Sequence, residues 1–190
     1  MPSPEVSGRA FLGLINHLRE AHGRNALVEL KPLMSREAAA AFDTRILHSS
    51  WYPYEAYVGF LRAIVAKHGN GKLEYCRQLG VSSGVRDINT VFKIYLAIAS
   101  TERLIRGCTK VWDSYYRNAG MMEAVRWTPD DTMLRISDFK KMAPEHCLLM
   151  EGWMIATMNA LGCDVLEPRE SKCTSRGDEA HEFSCKWKKR

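Results

Sequence analysis

The chain has 190 residues, of which 46% are hydrophobic and 26% are charged, and it carries a formal net charge of +5. This length and composition are typical of one folded domain, and they exclude a disordered, collagen-like or coiled-coil protein. We therefore expect a single domain over 1–190, with a helical N-terminal part at 1–85 and a core with the features of a ligand-binding domain at 86–190.

The charge distribution and the hydropathy exclude two classes of partner. Lysine and arginine are scattered except in the tail 186–190, whereas a nucleic-acid-binding protein concentrates them on one face. No apolar run approaches the length of a membrane span. The start 1–5 lacks the features of a secretory signal, so we expect a cytoplasmic protein whose six cysteines are core thiols or metal ligands.

Helical periodicity dominates the first part of the chain. Apolar residues recur every three or four positions between 11 and 18, which predicts a helix over 6–22. Further helices are predicted after Ser35, from 51–54 up to the turn at 69–71, and at 73–79. The small residues at 82–84 predict a break.

The pattern changes after Gly120. Before it, 88–99 and 101–119 are predicted to be helical. After it, strands at 121–127 and 132–138 form a hairpin, 145–161 is a helix, and 164–173 and 180–187 form a second hairpin. The order predicts an α+β fold, in which helices pack on an antiparallel sheet built from two hairpins.

No sequence motif predicts catalysis. A glycine-rich phosphate loop and the Gly-x-Ser-x-Gly, His-Glu-x-x-His and Cys-x-x-Cys motifs are all missing. A zinc hydrolase or a reductase-associated role stays the weaker alternative, because a hydrolase needs an open metal position and a nearby base. We therefore expect a protein that is not an enzyme.

The last third of the chain holds a set of possible metal ligands. Glu170, Cys173 and His181 lie around one hairpin turn, and Cys147 lies on the buried stripe of the preceding helix. Zinc accepts sulfur, nitrogen and oxygen donors of this kind. Two thiolates and a carboxylate would overcompensate the charge of the ion, and Lys172 or Arg176 could then supply balancing donors. The alternative is that Cys147 is a small core residue and that Glu170 and His181 are surface residues.

The segment from 147 to 187 resembles the small-molecule-binding domain named after 4-vinyl reductase. The signature includes a helical cysteine, a Gly-aromatic pair, Glu-x-x-Cys and a last Cys-x-Phe, and this chain has Cys147, Gly152-Trp153, Glu170 with Cys173, and His181-Glu182-Phe183. Relatives of that domain occur in phenol- and xylene-responsive activators and in archaeal hydrocarbon-binding proteins. The final ligand is histidine instead of cysteine. The whole chain also resembles a group of myxobacterial proteins of similar length.

This resemblance implies the ligand-binding fold of nitric-oxide sensors and vesicle-tethering subunits. It also implies an apolar pocket between helices and sheet, a structural zinc near that pocket, and dimerisation through helices. The main hypothesis is a non-enzymatic sensor that binds a small hydrophobic molecule and signals through a homodimer or a partner protein. The alternative is a ligand-free interaction module of the tethering type with a filled core. The residues expected to line the pocket are Trp112, Tyr115 and Tyr116 from one helix and Met150, Trp153 and Met154 from the other.

Overall fold

The computed structural model describes residues 2–90 and 100–190. The helices in this part of the chain are α1 (Gly8–His22), α2 (Ala26–Leu30), α3 (Arg36–Ala41), α4 (Tyr54–His68), α5 (Tyr75–Asn89), α6 (Thr101–Arg106), α7 (Cys108–Tyr115) and α8 (Pro144–Ala160). The strands are β1 (Glu5–Ser7), β2 (Trp51–Pro53), β3 (Tyr116–Arg117), β4 (Met121–Trp127), β5 (Asp131–Ser137), β6 (Cys163–Lys172) and β7 (His181–Lys189). No described helix is long and apolar enough to cross a membrane.

A four-stranded antiparallel sheet forms the later half of the fold, in the order β4-β5-β7-β6. The two predicted hairpins are both present, and they join through the pairing of β5 with β7. Gly177 ends the short 3₁₀ turn between β6 and β7 with a φ of 93°, a conformation that glycine adopts without steric cost. Along β5 the buried side chains alternate, so that Thr132, Leu134 and Ile136 face the helices.

A small second sheet connects the beginning of the chain to its middle. β1 pairs with both β2 and β3, and Val6 lies opposite Tyr116. The helix predicted over 6–22 therefore starts at Gly8, because the residues before it form a strand and the hydroxyl of Ser7 caps the helix by accepting from the backbone N–H of Arg9.

The close packing of α5 on α8 explains one wrong prediction. The sequence predicted a break at 82–84, but α5 runs through these residues without interruption. Glycines let the two backbones approach: a Cβ at Gly80 would lie 2.0 Å from the carbonyl oxygen of Leu149, and one at Gly152 would lie 2.0 Å from that of Arg77. The small residues of α5 thus serve a helix–helix contact instead of ending the helix.

The helix predicted over 101–119 is divided in the structure. Gly107 separates α6 from α7, and the chain turns into β3 at Tyr116. The helix predicted over 88–99 falls largely outside the described residues. The helix predicted over 145–161 is confirmed as α8, which presents its buried residues to α5 and to β6.

Candidate functional site

An apolar cavity of about 90 Å³ lies between α5, α7, α8 and the inner face of β5. Ser83 of α5 and Leu134 of β5 belong to its wall. All six residues that the sequence predicted as ligand-binding also line it, namely Trp112, Tyr115, Tyr116, Met150, Trp153 and Met154. Apolar walls with a few polar groups are typical of small-molecule sites. That a ligand occupies this cavity stays a prediction.

Tyr116 reaches the cavity from a different element than expected. The sequence placed it on the same helix as Trp112 and Tyr115, but it lies on β3, where its backbone pairs with Val6. The extended conformation at position 116 turns its ring onto that of Trp112, with the ring centroids 4.1 Å apart. Both aromatic side chains are buried.

One end of the cavity is polar. Asp87 is buried on α5, and its Oδ2 accepts a hydrogen bond of 2.9 Å from the indole Nε1 of Trp153. Burial raises the pKa of Asp87, although the hydrogen bond from Trp153 opposes that shift. Arg9 of α1 also lines the cavity and acts against the rise. The carboxyl group therefore has a partner for one oxygen within the wall.

His146 crosses the core beside the cavity. Its Nδ1 lies 3.1 Å from the hydroxyl oxygen of Tyr54, and its Nε2 lies 2.7 Å from that of Tyr116. The backbone N–H of Ala143 donates to the Tyr54 hydroxyl at 2.9 Å. Burial, with a smaller contribution from His181, lowers the pKa of His146 to about 3. The imidazole is therefore neutral at physiological pH.

Trp112 carries an indole N–H that has no hydrogen-bond partner among the described residues. Its ring stacks on His146 with an interplanar angle of 10°, and the residue is 2% exposed. A buried donor without an acceptor is costly, so each such group requires an explanation.

Four further donors converge at the start of α8 and the turn between β6 and β7. The ligand atoms of the residues predicted to bind a metal, Cys147, Glu170, Cys173 and His181, all lie within 4.8 Å of one another. The two sulfur atoms are 4.0 Å apart, and the sulfur of Cys147 is 3.5 Å from Nδ1 of His181. Tetrahedral coordination with ordinary metal–ligand lengths needs about 3.8 Å and about 3.6 Å for these pairs. The arrangement is thus compatible with one metal ion.

Each ring nitrogen of His181 has a close oxygen neighbour. Nε2 lies 2.8 Å from the hydroxyl of Thr174, and Nδ1 lies 2.8 Å from Oε1 of Glu170. In the tautomer with the proton on Nδ1, the ring donates to the carboxylate and accepts from Thr174. In the other tautomer, Nε2–H donates to Thr174, and the lone pair on Nδ1 is free to bind a cation beside Glu170.

The two cations predicted near this cluster have separate roles. Arg176 Nη1 lies 3.4 Å from Glu170 Oε2, as a charge-balancing group should. Lys172 pairs with Glu182, which Arg135 also contacts. Burial opposes ionisation of Glu170, but hydrogen bonds from His181 and the cysteines outweigh it, so the pKa of Glu170 is lowered.

The sequence did not assign His146 a role, nor did it single out Tyr54 or Asp87. His146 follows the helical periodicity of α8 at about 100° from Cys147, which suggested that it faces elsewhere. His146 does face away from the cluster, into the core. There it contacts Tyr54, which is 92 positions away in the sequence. Only the low exposure of a polar residue on an apolar helix could have suggested its importance, and burial is not visible in a sequence.

No family model matches the chain, and no curated protein matches it. Several solved structures match over nearly the whole chain. One is described as an H-NOX protein from S. oneidensis in the Fe(II)NO ligation state, with 10% identity, a TM-score of 0.74, and coverage of 96% of this chain and 99% of that chain. The Fe(II) unliganded H-NOX protein from K. algicida has 10% identity, a TM-score of 0.68 and 97% coverage of both chains. An oxygen-binding H-NOX domain related to soluble guanylate cyclases has 12% identity, a TM-score of 0.63 and coverage of 96% and 95%.

These matches define the fold as that of H-NOX domains, and they confirm the predicted α+β, nitric-oxide-sensor-like architecture. That the domain is not itself an enzyme stays a prediction.

The predicted family and the predicted cofactor are both wrong. The identification with the 4-vinyl-reductase domain is overturned, because the matched structures are H-NOX proteins. A motif of about 40 residues in one helix and one hairpin does not separate two folds that both place a hairpin after a helix. Zinc as the cofactor is overturned too, because the metal described in these structures is Fe(II).

Proposed function

We propose that the protein is a sensor domain that binds a small apolar molecule in the cavity between α5, α7, α8 and β5. The observation that carries this proposal is the cavity itself, which aromatic and methionine side chains line within the hydrophobic core. Protein interiors contain few voids larger than a water molecule, so an apolar void of about 90 Å³ is unusual. The fold supports a sensing role, because H-NOX structures are described with NO and oxygen bound.

Heme, the iron-containing group that the fold implies, does not fit the described cavity. Sites that bury drug-sized ligands have volumes of about 300–1,000 Å³, whereas this cavity measures about 90 Å³. None of the six histidines lines it, and the sequence of 91–99 contains no histidine. Cys108 lines it, but burial raises the pKa of its thiol, which disfavours the thiolate that iron requires. We therefore propose that the ligand binds directly to protein side chains.

Xenon tests the cavity without any assumption about the natural ligand, because dry apolar cavities bind it. We expect a saturable ¹²⁹Xe chemical shift for the unmodified protein. Leu134→Phe, which fills the cavity wall, should abolish saturation. Leu166→Phe makes the same change at an exposed position of β6 and should leave it intact. Absence of saturable binding in the unmodified protein would contradict the proposal and favour the ligand-free interaction module. A hemin titration should give no stoichiometric Soret band.

The cluster at Cys147, Glu170, Cys173 and His181 is a second candidate site, and we propose that it holds a structural metal ion. The proposal is supported by the donor separations and by the close approach of His181 Nδ1 to Glu170 Oε1, at 2.8 Å. All four ligand positions belong to protein side chains, which is typical of structural sites. Elemental analysis of untagged protein should find about one transition-metal ion per chain. A metal-free protein in which Nδ1–H of His181 donates to Glu170 would contradict it.

Transmission of the signal through a homodimer or a partner protein belongs to the same proposal. Val28 and Leu33, at 65% and 48% exposure on α2 and the turn after it, supply apolar surface for such a contact. Sedimentation equilibrium with and without a cavity ligand measures the chain mass. If the measured mass is that of one chain at all concentrations, the homodimer is excluded, and signalling through a partner protein remains as the proposal.

A further inference from the structure

A chain of three hydrogen bonds runs through the core and ends at the cavity wall. The backbone N–H of Ala143 donates to the hydroxyl of Tyr54, which lies next to Nδ1 of His146. Nε2 of the same ring lies next to the hydroxyl of Tyr116. His146 is fully buried and Tyr54 is 2% exposed, so water does not substitute for any of these partners.

The hydrogen-bonded side chains of Tyr54, His146 and Tyr116 carry one more proton than the hydrogen bonds between them can use. A neutral imidazole carries one N–H, and the two hydroxyl groups carry one proton each, but only two hydrogen bonds join the three side chains. If Tyr54 donates to Nδ1, then Nε2–H donates to Tyr116 and the Tyr116 proton is left over. If the ring has the other tautomer, Tyr116 donates to Nε2 and the Tyr54 proton is left over, since Tyr54 then accepts from both Ala143 and His146.

The position of the cavity distinguishes the two arrangements. Tyr116 lines the cavity, whereas Tyr54 is not among the residues of its wall. A spare proton on Tyr54 faces packed core and stays unsatisfied, at the full desolvation cost of that group. A spare proton on Tyr116 can be satisfied by an acceptor inside the cavity. An acceptor there therefore selects the tautomer with the proton on Nε2.

Trp112 supplies a second, independent donor in the same wall. Its indole N–H has no partner among the described residues, and its ring centroid lies 4.1 Å from that of Tyr116. Asp87 in the same wall accepts from Trp153, and it interacts with the hydroxyl of Tyr115. Tyr116 and Trp112 thus offer the cavity two donors on neighbouring rings. A carbonyl oxygen, with two lone pairs, is the kind of atom that can accept from both.

We propose that Tyr116, oriented through His146 and Tyr54 and assisted by Trp112, is the hydrogen-bond donor that makes the cavity select small apolar molecules carrying a carbonyl-type oxygen over equally shaped hydrocarbons. This inference rests on the proposed function and names the ligand class for it. The volume of about 90 Å³ sets the size. A cavity of about 150 Å³ admits benzene, so this one suits a ligand of roughly four or five heavy atoms.

The test compares 2-butanone with 2-methyl-1-butene, which differ only in whether oxygen or CH₂ is doubly bonded to the second carbon. Dissociation constants are measured by NMR titration for the unmodified protein, Tyr116→Phe and the control Tyr115→Phe. Tyr115 lines the same cavity, and its hydroxyl interacts with Asp87. We expect Tyr116→Phe to weaken binding of the ketone about fivefold, the equivalent of one net neutral hydrogen bond. Binding of the alkene should change less than about twofold, and Tyr115→Phe should leave the ratio of the two constants unchanged.

A second measurement needs no variant. The ¹⁵N chemical shifts of the imidazole report which nitrogen carries the proton, and the indole N–H of Trp112 reports an acceptor near it. Saturating 2-butanone should move His146 towards the Nε2–H tautomer and shift the indole N–H resonance of Trp112. 2-Methyl-1-butene should change neither the tautomer populations of His146 nor the hydrogen bonding of the Trp112 indole.

The outcomes separate the two claims. If both probes bind but Tyr116→Phe leaves their ratio unchanged and the ketone does not alter the His146 tautomer, the inference is wrong and the cavity remains a binding site. If neither probe nor xenon binds the unmodified protein, the proposed function is wrong and the inference is overturned with it. If the ketone changes the tautomer of His146 and the ratio of the dissociation constant of the ketone to that of the alkene rises in Tyr116→Phe, the inference is supported.

Discussion

The cavity and the metal-ligand cluster both include residues of α8, and they differ in the kind of polar group that they offer a ligand. In the cavity wall, Trp112 has an indole N–H with no acceptor among the described residues, and Tyr116 has a spare proton in the Nε2–H tautomer of His146. In the cluster, two thiols, a carboxylate and an imidazole nitrogen lie within 4.8 Å of one another. The first region therefore suits a neutral molecule with an acceptor atom, and the second suits a cation. One helix can serve both because its successive residues point to different faces.

The largest loss of stability should come from a substitution that forces α5 away from α8, because α8 contributes residues to both the cavity and the cluster. An added Cβ in Gly152→Ala would lie 2.0 Å from the carbonyl oxygen of Arg77. We expect a loss of about 3 kcal/mol or more in the free energy of unfolding, together with loss of xenon binding. Gly162→Ala is the control, since nothing lies within 4 Å of its Cβ and only its φ of 75° opposes alanine. Urea denaturation that shows equal stability for both variants would contradict the close contact.

The second largest effect should come from removing a ligand of the cluster, which should leave the cavity unchanged. In metal-loaded protein, Cys173→Ser should lower the free energy of unfolding by about 3 kcal/mol more than Cys76→Ser does, because only the former removes a ligand. Cys76 is equally buried and lies outside the cluster, so it controls for placing a hydroxyl in the core. A chelator should destabilise the unmodified protein and Cys76→Ser but not Cys173→Ser. Xenon binding should survive in all three proteins. If the chelator destabilised all three proteins equally, the prediction that Cys173 binds the metal ion would be wrong.

Acid should destabilise the fold through His146. The folded pKa of about 3 lies below the unfolded value of about 6.5, so the unfolded chain binds the proton more readily. The stability that depends on the neutral ring is complete above about pH 6.5 and is lost as the pH falls from there towards 3. In this pH window, we expect the free energy of unfolding of the unmodified protein to fall more steeply with decreasing pH than that of His146→Gln, by up to about 1.4 kcal/mol per pH unit. The exposed His48→Gln should keep the steep slope. A slope unchanged by His146→Gln would show that the ring is not held neutral.

Local patterns sufficed for the second half of the fold and for the membership of the cluster. The strands of both hairpins follow alternating patterns, and α8 is a long apolar segment. Three of the four donors lie around one turn, so their convergence depends on few long-range contacts. The cavity walls were predictable for a similar reason, because Trp112 lies on the buried face of amphipathic α7 and Met150 lies on the apolar α8.

Other features depend on contacts between distant residues, which leave no local pattern. The continuity of α5 through Ser83 depends on how its glycines and small residues meet α8. Tyr116 becomes a strand residue because Val6, far away along the chain, pairs with it. The partners of His146 come from β3 and α4, and only their meeting in the core creates the spare proton.

The smallest effect should come from Asp87→Asn, which tests whether the donors in the wall or the acid at its polar end determine ligand choice. Asparagine keeps an oxygen that can accept from Trp153, and it replaces a carboxyl group whose burial raises its pKa. We expect the free energy of unfolding at neutral pH to change by less than about 1 kcal/mol, because losing a charge-assisted bond is offset by relief from burying the charge. The ratio of the dissociation constants of 2-butanone and 2-methyl-1-butene should stay that of the unmodified protein. If Asp87→Asn lowers the ketone preference as much as Tyr116→Phe does, the acid orders the ligand, and the contrast between a donor-rich cavity and an acceptor-rich cluster does not hold.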